Sequence, residues 1–188
     1  MTVKTDYSRF DIHDELTAPA GSERLLKSIS TAGGSVSKLV GVLAGSPASL
    51  KAFARLRSEL HSGALPAATA IRIGLAVSER RGDRYSLAQH ARSARLSGFG
   101  LDEISRNRSF SSTDDREAAL LAFLEGSLDA EGHPPAYLLE EAREADWSDE
   151  QILEALGEVA LCEFQSLVAN AAGLPEDQID SGLLPTAA

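Results

Sequence analysis

The sequence has 188 residues, of which 43% are hydrophobic and 24% charged, with a formal net charge of −10 at pH 7. This length and composition are typical of one globular domain with its own core. The acidic balance disfavours nucleic acid as a partner, because a negative surface repels phosphates. No apolar run reaches the ~18 residues of a membrane span, and the first residues lack the apolar centre of a signal peptide. We therefore expect a cytoplasmic protein that does not enter a membrane.

The sequence contains a single cysteine, Cys162. One cysteine excludes an intramolecular disulfide and a CxxC redox pair within the chain. It lies in the apolar stretch VALCEF, where a buried and inert thiol is expected. His13, His61 and His133 show no metal-ligand spacing, so we predict no metal site, and we also predict no cofactor.

Helix patterns dominate the sequence, and the alternation typical of strands is nearly absent. The fold class is therefore predicted to be all-α. Residues 1–34 are expected to form an N-terminal arm and a short helix, residues 35–176 a helical domain, and residues 177–188 a C-terminal tail.

In the first half of the helical domain, cap and break residues separate three predicted helices. Ser46, followed by a proline, starts a helix with one apolar face, which ends at Gly63. A second and more apolar helix follows Pro66. Gly82 interrupts the pattern, and a third helix is expected over 83–96.

The second half is predicted to contain four more helices. A short one is expected over 102–108, Thr113 is expected to cap the helix containing AALLAFLEGSL, and another is expected over 137–144. Ser148 and Gln151 form a capping box for a long last helix. Several helices are apolar on more than one side, which predicts burial in a homo-oligomer, either a dimer, a trimer or a hexamer.

The order of these elements resembles the carboxymuconolactone decarboxylase and alkylhydroperoxidase-D superfamily over about 43–175. The resemblance is carried by SPASLKAFARL, IGLAVS, a helix with a YxxxxH pattern, GFGLDEI and ADWSDEQILE. In the peroxidase branch that helix reads Cys-x-Tyr-Cys-x-x-x-His, and a glutamate precedes it by about a dozen residues. Those positions here hold Asp83, Tyr85, Ser86, His90 and Ile71. The resemblance implies an alkylhydroperoxidase-D-like helical bundle that forms oligomers.

The loss of both cysteines removes the chemistry of the peroxidase branch. There a thiolate attacks the peroxide and a second thiol resolves the sulfenic acid. Ser86 cannot be oxidised in this way, and Asp83 cannot act as the resolving group. We therefore do not expect thiol peroxidase activity.

The candidate catalytic residues are His90, Ser86, Asp83 and Tyr85. Asp83, Ser86 and His90 are spaced by three and four residues, which places them along one face of a helix. Asp83 and His90 are separated by ~10.5 Å of helix rise, too far for direct contact. Ser86 lies between them and is spaced to share a hydrogen bond with His90. The alternative is a histidine that merely packs against a neighbouring helix or lies exposed at a groove.

An arginine cluster surrounds this helix, although the chain as a whole is acidic. Arg81, Arg84 and Arg92 are candidate ligands for a small anion, because a guanidinium binds a carboxylate through two parallel hydrogen bonds. Solvated or subunit-bridging arginines are the alternative. Glu158 and Glu163, on the last helix, are both able to approach His90 in such a bundle.

Three functions stay open from the sequence. The first is a protein of this superfamily without thiol peroxidase chemistry that binds a small anionic ligand or serves as an oligomeric partner. The second is a cysteine-independent decarboxylase acting on a carboxylated lactone, with His90 as acid or base. The third is a non-catalytic subunit of a true, paralogous peroxidase. An enzyme predicts a polar pocket with an acid near His90, whereas a scaffold predicts that Ile71 and Leu75 fill that space.

Overall fold

The computed structural model describes residues 8–31, 36–129 and 133–176, and these form nine α-helices and no strand. The predicted all-α class is confirmed. In chain order the helices are α1 (Ala20–Thr31), α2 (Lys38–Leu43), α3 (Pro47–His61), α4 (Ala67–Arg80), α5 (Arg84–Leu96), α6 (Leu101–Asn107), α7 (Asp115–Asp129), α8 (Ala136–Glu144) and α9 (Asp149–Ala172).

Local capping explains where most of these helices begin and end. Ser46 caps α3 by accepting a hydrogen bond from the Ser49 amide, and Ser148 with Gln151 forms the predicted capping box of α9. Gly173 ends α9 in the left-handed conformation at φ 66°, which glycine adopts without strain. These caps were predicted correctly from the sequence.

The predicted cap of α7 was wrong by one residue. Asp114 Oδ1 accepts the amide protons of Arg116 and Glu117, so Asp114 is the residue that caps this helix. The Thr113 hydroxyl instead donates to Glu103 Oε2 at 2.7 Å. Thr113 is therefore used in a tertiary contact, which the local pattern does not reveal.

The last helix, α9, is the centre of the bundle and packs against α2, α3, α4, α5 and α7. One core cluster joins it to α4, α7 and α8 through residues such as Ile73, Leu121 and Ile152. A second cluster joins it to α1, α2 and α3 through Leu26 and Leu50, among others. Burial of these side chains is the main driving force for the bundle.

The predicted domain boundary at residue 34 and the predicted tail over 177–188 lie outside the described residues. Helix α1 contributes Leu26, fully buried, to the same core cluster as Leu39 and Leu50. It is thus part of the bundle's core. None of the helices that the structure describes has the length and apolar character needed to cross a membrane.

A buried polar network ties α6 to α4 and to the loop before α7. Glu103 accepts hydrogen bonds from Arg72 Nε at 2.8 Å, from the Ser112 hydroxyl at 2.7 Å and from the Thr113 amide at 2.8 Å. Burial raises the pKa of Glu103, but the hydrogen bonds from Thr113 and Ser112 outweigh burial and hold this pKa well below its usual range. Glu103 is therefore an anion that anchors three segments.

Candidate functional site

The turn between α4 and α5 sets the start of the helix that carries His90. Gly82 adopts φ 61°, and the Asp83 amide donates to the Ser78 carbonyl oxygen at 2.9 Å. Asp83 Oδ1 then accepts the Ser86 amide proton at 3.1 Å and caps α5. Asp83 is only 1% exposed, and its Oδ2 has no hydrogen-bond partner among the described residues. A buried carboxylate thus occupies the helix start.

Helix α9 holds this turn in place. Asn170 Nδ2 donates to the Arg81 carbonyl oxygen at 2.9 Å, and Arg81 Nε donates to Glu163 Oε1 at 2.7 Å. Of the two α9 glutamates considered from the sequence, Glu163 therefore pairs with Arg81. Glu158 takes a different position, described below.

A cavity of about 310 Å³ lies between α2, α3, α4, α5 and α9, and His90 is part of its wall. We call it the His90 cavity. One part of its lining is apolar and contains Leu39, Leu60, Leu65, Ala67, Ala70, Ile71 and Leu161. The remaining lining is polar and contains Arg57, His61, Ser86, Gln89, His90, Ser93, Glu158 and Gln165. The site therefore combines an apolar surface with groups that bind charge and move protons.

His90 is partly buried and packs against Gly74 of α4. Burial lowers its pKa from 6.5 to about 4, and the nearby Asp83 charge only partly offsets this effect. The imidazole is consequently neutral at pH 7 and able to accept a proton. No hydrogen bond joins Ser86 to His90 in the structure, so the predicted link between them is not formed.

Glu158 of α9 is 8% exposed and lines the same cavity. Burial raises the pKa of its carboxyl group, although the Cys162 thiol and the Arg57 charge act in the opposite direction. The Cys162 thiol donates to Glu158 Oε1 at 3.8 Å. Glu158 is thus a carboxyl group that burial makes easier to protonate, next to a cavity that also contains a neutral imidazole.

Arg57 of α3 supplies the positive charge of this cavity. Its side chain is exposed at the rim, and among the described residues it forms no ion pair. Its charge influences the pKa of both Glu158 and His90. An arginine without a protein carboxylate at the mouth of a cavity is available to a ligand anion.

Several solved protein structures have a fold similar to that of this chain. An uncharacterized peroxidase-related protein from Ralstonia eutropha JMP134, described as an alkylhydroperoxidase AhpD core, matches with a TM-score of 0.77 at 20% identity, over 93% of this chain and 94% of its own. An uncharacterized peroxidase-related protein from Silicibacter sp. TM1040 matches with a TM-score of 0.77 at 19% identity, over 95% and 96%. This chain has an alkylhydroperoxidase-D-like fold. The fold inferred from the sequence resemblance is therefore confirmed.

A third protein with a similar fold is named as a debrominase, not as a peroxidase-related protein. A variant of the debrominase Bmp8, in complex with 2,3,4-tribromopyrrole, matches with a TM-score of 0.68 at 17% identity, over 85% of this chain and 87% of its own. No protein-family model matches the sequence, and no curated protein matches it either. The alkylhydroperoxidase-D-like fold alone therefore does not identify the activity of this chain, which depends on its own residues.

Within this fold, the candidate residues from the sequence separate into two groups. His90 and Ser86 line the cavity, and Asp83 lies buried at the start of the same helix. Tyr85 faces the core instead, where its hydroxyl accepts the Leu39 amide proton at 3.4 Å. Tyr85 therefore supports the packing of α2 against α5.

The three predicted anion-binding arginines are not among the residues that line the cavity. Arg81 pairs with Glu163, and Arg84 lies 3.6 Å from Glu176 with its side chain 84% exposed. Arg92 is exposed on the outer face of α5. Arg57 contributes the cationic group of the cavity, and the sequence analysis missed it because only tertiary packing brings α3 next to α5.

Proposed function

We propose that this protein binds a small carboxylate in the His90 cavity and exchanges protons with it through His90 and Glu158, without thiol chemistry. The observation that carries the proposal is the meeting of three groups at one cavity: a neutral imidazole, a buried carboxyl group and a cation that forms no ion pair among the described residues. Sites that separate an acid from a base by their environments are typical of proton-transfer enzymes.

His90 and Glu158 have complementary roles in this proposal. Neutral His90 accepts a proton from a carbon atom of the bound molecule, because its lowered pKa keeps a nitrogen lone pair free at neutral pH. Glu158, in the protonated form that burial makes more accessible, donates its proton to another atom of the same molecule. The imidazolium and the carboxylate that result return to their starting forms by exchanging protons with water. The net change is a proton shift that needs no oxidant or reductant.

Arg57 is the residue proposed to hold the carboxylate. Its guanidinium forms no ion pair among the described residues, and a bidentate contact with a carboxylate satisfies both its charge and its donors. The formal charge of the whole protein is −10, so an anion is attracted only where a local cation is present. Arg57 provides that local cation.

The size of the cavity favours a ligand with a single ring. A volume of about 310 Å³ lies near the lower end of the range for ligand pockets. The debrominase with a similar fold holds 2,3,4-tribromopyrrole, which is a single-ring molecule. The apolar part of the lining, which includes Leu39, Ile71 and Leu161, suits the face of such a ring.

Decarboxylation is a second candidate reaction, and the raised pKa of Glu158 favours it. The sequence resemblance implies a carboxylated lactone as the substrate class. In that reaction the bond to the carboxylate carbon breaks, carbon dioxide leaves, and the resulting carbanion takes a proton. A protonated Glu158 is a suitable donor for this proton.

The open cavity supports these two reactions over a purely structural role. A scaffold or non-catalytic subunit predicts that Ile71 and Leu75 fill the space around His90. Ile71 forms part of the cavity wall, and Leu75 is fully buried in a small cluster with Ala94 and Ile104.

Calorimetric titration with benzoate tests the proposal. We expect the unmodified protein to bind benzoate and Arg57→Gln to bind it about tenfold more weakly or worse, because a charge-assisted contact is lost. Arg55→Gln is the matched control, since Arg55 is exposed on the same helix and does not line the cavity. No binding to the unmodified protein, or equal losses in both variants, would contradict the proposal.

A further inference from the structure

Helices α4 and α5 approach each other closely at the site, where Gly74 meets His90. A Cβ atom at position 74 would lie 2.3 Å from both Cε1 and Nδ1 of His90 and 2.7 Å from Cγ. Such distances are far shorter than any van der Waals contact. The imidazole ring therefore occupies the space that a side chain at position 74 would need.

This contact defines the orientation of the ring. The Cβ position is 2.3 Å from both Cε1 and Nδ1 and only 2.7 Å from Cγ, so it lies above the plane of the ring and the face of the imidazole packs against α4. A face-on contact leaves the ring edge, which carries both nitrogens, free of Gly74, and His90 lines the cavity. Among the described residues no side chain or backbone group hydrogen bonds to the imidazole of His90. Packing against α4, and not a hydrogen-bonded partner, holds the ring.

We propose that Gly74 is the positioning residue for His90, and that its missing side chain lets the face of the imidazole lie against α4 while the edge of the ring exchanges protons with the cavity. The proton-exchange part of this inference rests on the proposed function. The positional part depends only on the contact between these two residues. An alanine at position 74 must push the ring away from α4.

The charges around the ring determine what such a displacement does. Asp83 at the start of α5, Arg57 on α3 and Glu158 on α9 surround the site, and His61 on α3 also lines the cavity. Burial is the largest influence on the His90 pKa and keeps it at about 4. A ring displaced toward solvent recovers hydration, so its pKa should rise toward 6.5, the ordinary value for histidine.

The test is an NMR pH titration of protein with isotopically labelled histidine, with the His90 signal assigned by its loss in His90→Gln. In the unmodified protein we expect a pKa of about 4 for His90, and in Gly74→Ala an increase of at least about one unit. Gly126→Ala is the matched control. A Cβ atom there would lie 2.5 Å from Leu138 Cδ1, so it also overpacks a helix contact, but outside the cavity lining. An unchanged His90 pKa in folded Gly74→Ala would overturn the inference.

A second measurement applies even if Gly74→Ala folds poorly. We expect Gly74→Ala to lower the Tm of the unmodified protein, but to leave unchanged or raise the Tm of His90→Ala, because without the ring the clash disappears and alanine favours the helix. An equal loss in both backgrounds would show that Gly74 does not position His90. Neither measurement uses a ligand, so both outcomes are independent of benzoate binding.

Discussion

At the level of single residues, His90 and Glu158 are the pair on which the proposed chemistry depends. Burial lowers the pKa of the imidazole and raises that of the carboxyl group, so burial shifts both groups towards their uncharged forms. A neutral imidazole beside a carboxyl group that burial makes easier to protonate is a candidate acid–base pair. Asp83 does not share this role, because it caps α5 and is almost fully buried.

The lowered pKa of His90 predicts a specific pH dependence of stability. Between pH 6.5 and about 4 the unfolded chain binds a proton at this residue that the folded chain does not. The free energy of unfolding therefore falls as the pH is lowered through this window. In His90→Gln this loss should be smaller by up to about 3 kcal/mol. Urea unfolding at several pH values measures the difference, and parallel curves for both proteins would argue against a buried neutral imidazole.

Cys162 gives a second prediction at this scale. Burial raises the pKa of its thiol, and the neighbouring Glu158 and Asp83 charges raise it further, so little thiolate is present at neutral pH. We expect no turnover of an organic hydroperoxide by the pure protein with a dithiol reductant, and no change in Cys162→Ser. Turnover by the unmodified protein that disappears in Cys162→Ser would contradict this prediction and show that the protein is a thiol peroxidase.

The sequence revealed the residues of the site that lie close together along the chain. The spacing of Ser86 and His90 placed both on one face of α5, and the structure puts both in the cavity lining. Helix periodicity predicts on which face of a helix a residue lies, but not which residue of another helix it contacts. Glu158 was therefore only one of two candidates on the last helix. No pattern in the sequence pointed to Arg57 as a residue of the site, because its position at the cavity follows from the packing of α3 against the rest of the bundle.

At the level of helices, the sequence predicts ends well where the capping group is local. Ser46 and Ser148 bond to amides three residues ahead, and the pattern of side chains shows this directly. Thr113 failed as a predicted cap because its hydroxyl bonds to Glu103, which is ten residues earlier in the chain. A competing tertiary partner is not visible in a local pattern.

The Glu103 network predicts a large difference between two adjacent acidic residues of α6. Glu103→Gln removes the nearer of two carboxylates that pair with Arg72, at 2.8 Å against 3.5 Å for Glu117, so the protein should lose about 3 kcal/mol of unfolding free energy. Asp102→Asn should change it by less than about 0.5 kcal/mol, because Asp102 is 73% exposed and its ion pair among the described residues is with Arg106 on the same helix. Chemical denaturation of both variants measures this contrast. Similar losses in the two variants would mean that the network does not hold α6.

At the level of the whole molecule, the alkylhydroperoxidase-D-like fold places the His90 cavity where five helices meet. Helix α9 contributes Glu158 to the cavity. Through its hydrogen bond to the Arg81 carbonyl oxygen, α9 also holds the turn between α4 and α5. The position of His90 relative to Glu158 is thus fixed by one long helix. Homo-oligomer formation stays a prediction, and exposed apolar side chains on the described surface, such as Leu96, Leu101, Leu153 and Leu167, favour it.

The most direct test of the central claim is a crystal structure of the protein grown with 4-bromobenzoate, with the bromine located by its anomalous signal. We predict the ring in the His90 cavity, the carboxylate within hydrogen-bond distance of Arg57, and a ring nitrogen of His90 and the Glu158 carboxyl group facing the ligand. Bromine found only outside this cavity, or a cavity closed by side chains, would contradict the account.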